Sequence, residues 1–132
     1  MYKTIILSAI AMLVMDYIWL TFIAKPLYMQ DLGKFFDIQN GSMQVNYFAA
    51  AIVYLGLLSG IFLFVLPRAD SLVDAFVYGA LFGLIIYGVY DFTNLATIKA
   101  WPLKISIIDM LWGGALCSAT SGVGYIVNSA RV

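Results

Sequence analysis

Residues 72–97 read LVDAFVYGALFGLIIYGVYDFTNLAT, and this stretch decides the fold. It is apolar over a length that crosses a bilayer, which takes about 20 residues at roughly 1.5 Å each. Strands of a membrane barrel would alternate in polarity, and this run does not. Gly79, Gly83, Tyr87 and Asp91 recur at every fourth position. Two small residues, a phenol and an acid therefore share one face of a helix.

Working outward, residues 4–24, 45–66 and 105–127 form further apolar runs of spanning length. Pro26, Pro67 and Pro102 each fall at a run boundary, where a helix can stop or start without losing an interior hydrogen bond. The reading is an all-α polytopic membrane protein, with residues 1–132 forming one domain of four transmembrane helices. Residues 67–71 and 99–104 are short connections, so the spans they join run antiparallel. Residues 25–44 are a longer connection carrying Leu27, Tyr28, Leu32, Phe35 and Phe36 among charges. It reads either as a partly helical segment lying in the membrane interface or as a flexible loop. The first run continues through Asp16, Trp19 and Ile23 without a small-x-small cleavage pattern, so it reads as a retained helix and not a secretory signal.

Composition agrees with lipid as the solvent. The chain is 64% apolar and 11% charged, with mean hydropathy +0.97, against about half apolar and a quarter charged in soluble domains. Seven Lys or Arg balance seven acids, all of them Asp. No basic patch suggests nucleic acid. The absence of His excludes imidazole bases, His-held metals and a Ser-His-Asp triad, and lone Cys117 can form no internal disulfide. No cofactor and no metal site is therefore expected. An even number of spans puts both termini on one side. Lys3, Arg68 and Arg131 on that side face Lys25, Lys34, Lys99 and Lys104 on the other, a difference too small to set orientation.

Three acids lie within the runs: Asp16, Asp91 and Asp109. An Asp at mid-bilayer costs about 2.5 to 3.5 kcal/mol on insertion scales, so three call for a reason. Counting turns along alternating helices puts all three towards one face of the membrane. Tyr87 and Asn94 flank Asp91 at helical spacing, with Tyr90 beside it. Trp19 and Trp112 follow Asp16 and Asp109 by three residues. The expected site is thus Asp16, Trp19, Tyr87, Tyr90, Asp91, Asn94, Asp109 and Trp112. Lys25, Lys99 and Lys104 are expected to form a basic rim. The competing readings are polar glue between helices for the acids and an interfacial belt for the Trp residues. Gly79 with Gly83, and Gly56 with Gly60, make GxxxG pairs suited either to packing within the chain or to a homodimer.

The segment Tyr87-Gly88-Val89-Tyr90-Asp91-Phe92-Thr93-Asn94-Leu95, followed by Trp101-Pro102 and Asp109-x-x-Trp112-Gly113, resembles a small bacterial family of predicted membrane proteins of unknown function. Asp16-x-x-Trp19-Leu20 and Tyr28 fit the same family. The resemblance implies a four-span protein of the bacterial inner membrane and carries no activity. Three functions stay open from the residues. One is binding or transport of a small amphipathic or cationic ligand, with a buried Asp holding a proton or the cation in turn. That outline is similar to the small multidrug exporters, which work as dimers. Another is an enzyme acting on a lipid, with the acids as acid/base groups. The last is an accessory subunit whose acids pair with basic residues.

Overall fold

The computed structural model describes residues 2–130. Among these, four helical stretches are long and apolar enough to cross a membrane: Tyr2–Phe35, Tyr47–Arg68, Leu72–Thr97 and Leu103–Ser129. The expected spans are all present, and the first is longer than its apolar run. Helix α1 (Tyr2–Ile18) passes without a break through a π-helical turn (Trp19–Ala24) into α2 (Lys25–Leu32) and a 3-10 turn (Gly33–Phe35). Pro26 therefore starts no new direction. It sits in the first turn of α2, directly after the wider π turn. In a first helical turn its missing N–H removes no interior α-helical bond.

The rest of the first connection is a two-stranded hairpin, β1 (Ile38–Gln39) and β2 (Ser42–Met43), with Ile38 opposite Met43. Asn40 and Gly41 turn it with φ of 51° and 76°. Paired left-handed residues are what a two-residue turn between twisted strands requires, and Asn-Gly supplies them at little strain.

Helix α3 (Tyr47–Gly60) starts at Asn46, whose side chain accepts from the Ala49 N–H at 3.1 Å. It continues through a π-helical turn (Ile61–Val65) to a 3-10 turn at Leu66–Arg68 that contains Pro67. Helix α4 (Leu72–Thr97) is capped by Ser71, which accepts from the Asp74 N–H at 3.1 Å and donates to the Asp74 carboxylate at 2.8 Å. It ends before a turn at Ala100, with φ of 62°. Pro102 then caps α5 (Leu103–Ser129).

Helix α5 is the hub, packing extensively on α4 and, next, on α1. Close approach to α4 depends on missing side chains. A Cβ on Gly83 would lie 2.0 Å from the Gly113 carbonyl oxygen, and one on Gly79 would lie 2.7 Å from that of Cys117. Without a hydrophobic drive between helices in lipid, such backbone contact is a main source of association. Met12, Leu57, Ile61, Val65, Leu116 and Cys117 form the apolar core where α1, α3 and α5 meet. Helix α3 meets α4 through its last turns, with Gly60 against the Phe82 ring. Its first half stands away from α4.

Candidate site at the intramembrane acids

Asp16 lies in the last turn of α1 and is 7% exposed. The Tyr54 hydroxyl of α3 donates to one carboxylate oxygen, and the Trp112 indole N–H of α5 donates to the other at 2.9 Å. Trp112 is held in turn by Trp19, stacked at 4.5 Å between ring centroids and 5° between planes. Trp19 is the first residue of the π turn. Tyr54 and Trp112 thus tie Asp16 to two other spans, and a buried acceptor left without such a donor costs about 1 to 3 kcal/mol.

Asp91 of α4 is 1% exposed. It lines one cavity together with Asp109 of α5. Tyr28 of α2 donates its hydroxyl to Asp109 Oδ1. Asp91 Oδ2 is buried with no partner. In a membrane interior that is an acceptor left available at a cost, unless water or a ligand donor fills it.

Two cavities meet at Asp109 and Tyr90, and Asp91 lines the smaller of them. One, of about 370 Å³, lies towards the interface and includes Tyr28, Asp91, Asn94, Trp101 and Asp109 in its lining. Phe35 and Tyr90 both contact Trp101, at 5.6 Å and 6.5 Å, and roof it with aromatic rings. The other, of about 570 Å³, is the gap between α3 and α4, walled by Ile52, Val53, Gly56, Phe82 and Ile86. Tyr90 and Asp109 line both.

A family model described as a predicted membrane protein (DUF2177) matches residues 1–126. The chain belongs to that family. As a member of it, the protein is a membrane protein with four spans. No curated protein and no solved structure matches the chain.

Within this family member, the eight residues named from the sequence fall into two linked groups. Asp91, Asn94, Asp109 and Tyr90 surround the cavities, with Tyr87 on the wall of the larger one and packed on Gly113. Asp16, Trp19 and Trp112 form a hydrogen-bonded, stacked unit one helical turn of α5 away from Asp109. The expected basic rim does not form around the acids. Lys104 pairs with Asp31 of α2 at 3.6 Å, while Lys25 and Lys99 are exposed. Tyr28 and Tyr54, the phenols that satisfy Asp109 and Asp16, were not among the expected site residues. Their signal is weak, because which hydroxyl meets which acid depends on how spans sit side by side.

Proposed function

We propose that this membrane protein binds a small amphiphile whose head is cationic and donates hydrogen bonds, and whose tail is hydrocarbon. The observation that carries the reading is the junction of the two cavities at Asp109 and Tyr90. Asp91 and Asp109 both line the smaller cavity, and Asp91 Oδ2 offers an open acceptor to an ammonium head. Tyr90 and Trp101 add ring faces that attract cations, worth about 2 kcal/mol when desolvated. The α3–α4 gap is walled by apolar side chains and suits the tail. A head held below the interface and a tail left in a lipid-facing gap allow arrival from within the bilayer. Transport is the extension of this reading, with proton and cation exchanging on the acid pair. The setting we propose is the inner membrane of a bacterium, with both ends of the chain on one face.

The test uses the full chain in nanodiscs and a fluorescent long-chain alkylammonium probe. Asp109→Asn and Asp91→Asn keep the shape and remove the charge, and each is expected to lower probe affinity about tenfold or more, the loss of one charge-assisted contact. Unchanged affinity in both, with the protein assembled, overturns the reading. An accessory subunit predicts instead that these changes disrupt assembly while the unaltered chain binds no probe.

A further inference from the structure

The buried residues of α1 are Thr4, Ser8, Met12 and Asp16, one per turn along a single face. Thr4 Oγ1 and Ser8 Oγ are buried and have no hydrogen-bond partner. Buried hydroxyls in an apolar seam are normally satisfied, so two on one line mark a place for water. Thr4 opens into a cavity of about 290 Å³ whose polar lining includes Tyr125 and Asn128 of α5. This cavity lies at the opposite end of the bundle from the acids, because Thr4 and Asp16 are about 18 Å apart along α1.

The facing side of α5 repeats the pattern. Asn128, Gly124, Thr120, Leu116 and Trp112 recur at four-residue spacing. A Cβ at Gly124 would touch Ser8 Oγ at 3.2 Å, and Trp112 bonds Asp16 at 2.9 Å, so these contacts bracket the seam. Thr120 is fully buried between them, donating to the Leu116 carbonyl at 2.8 Å with its oxygen still able to accept. Polar atoms thus run from the Thr4 cavity to Ser8 and Thr120, and resume at Asp16. The break is Met12, fully buried in the core cluster with Leu116. Around Asp16 the titratable groups are Tyr54 of α3, Tyr87 of α4, and Asp109 and Cys117 of α5.

We infer that the α1–α5 seam is a proton path from the Thr4 cavity to Asp16, and onward to the cavities at Asp109, held shut by Met12. A proton leaves a water in the Thr4 cavity and passes along hydroxyls and waters, each oxygen accepting one proton as it releases another. It adds to the Asp16 carboxylate and is released to water or to the acid pair beyond, so one charge crosses for each turn. Met12 is unbranched and flexible, which suits a plug that swings aside without moving a helix. The line of hydroxyls has no role in holding an amphiphile, and the inference goes beyond the ligand reading.

The experiment reconstitutes the full chain in phosphatidylcholine vesicles with a trapped pH dye and an imposed membrane potential. Met12→Ser completes the polar line and is expected to raise proton flux severalfold over the unaltered chain. Asp16→Asn in that background is expected to return flux to baseline, and Met12→Leu to stay there. An assembled Met12→Ser protein at baseline overturns the path, as does flux that survives Asp16→Asn. If the serine variant does not assemble, Met12→Ala is read in its place. A chain that accepts Met12→Leu and neither smaller residue shows a seam that must stay dry, which also overturns the path. No amphiphile is present, so failure here leaves the ligand reading intact, and failure of probe binding leaves this one intact.

Discussion

Gly83 and Gly56 each belong to a GxxxG pair, and the two sites could hardly differ more. At Gly83 an added Cβ would lie 2.0 Å from a backbone oxygen of α5, whereas at Gly56 it would meet nothing within 4 Å. The same motif thus closes one interface and leaves another open. Glycine in a membrane helix removes volume, and whether the neighbour moves in is settled by what that neighbour can bring close. Helix α5 brings Gly113 to Gly83, backbone to backbone, and the seam shuts. Helix α4 brings Phe82, Ile86 and Tyr90 towards Gly56, and a gap remains.

The contrast can be broken most severely at the closed seam. Gly83→Ala forces backbone apart and is expected to cost about 3 kcal/mol or more, above the usual range for overpacking because the obstacle cannot rotate away. Loss of the folded chain in an SDS titration from mixed micelles checks it, and an unchanged midpoint would refute the close contact. Gly56→Ala is the matched control at the open site. Its stability is expected to be unchanged or higher by up to about 1 kcal/mol, since alanine favours helix. The alkylammonium probe should bind more weakly to it, because the added methyl narrows the cavity. A smaller effect is expected at the acid that stands outside the cavities. Tyr54→Phe removes one donor from Asp16 and should cost about 1 to 3 kcal/mol in the same titration, with probe affinity retained. Least of all is expected from Lys104→Met, which breaks an ion pair with an exposed lysine. Such pairs are worth about 0 to 1 kcal/mol, so a larger loss would show that the pair anchors α2.

How much of this was legible beforehand varies with the kind of interaction. The four spans were, because run length and apolarity act along one segment at a time. Pro26 does lie in the first turn of a helix, but the π turn at Trp19–Ala24 joins that helix to α1 without a break, so the proline ends no span. The hairpin carried its own sign in Asn40-Gly41, embedded in a segment that reads as loop or interfacial helix. Equal depth was read for all three acids; Asp91 and Asp109 line one cavity, whereas Asp16 takes Tyr54 and Trp112 as partners. Depth is written in residue count, while lateral pairing depends on the rotation of each helix about its axis. Lys104 looked inward on count alone and instead pairs with Asp31 while its own side chain stays exposed.

The continuous helical course of Tyr2–Phe35 runs for 34 residues. At about 1.5 Å each that is some 50 Å of helix, against a hydrocarbon thickness near 30 Å. The excess must be absorbed by tilt or must rise among the headgroups. Phe35 and Tyr28 ride on that excess, so the roof over the acid pair is referenced to the bilayer surface and the acids to its interior. Bilayer thickness thereby becomes a variable of the molecule: lipids with longer tails draw the roof towards the hydrocarbon, and shorter ones lift it towards water.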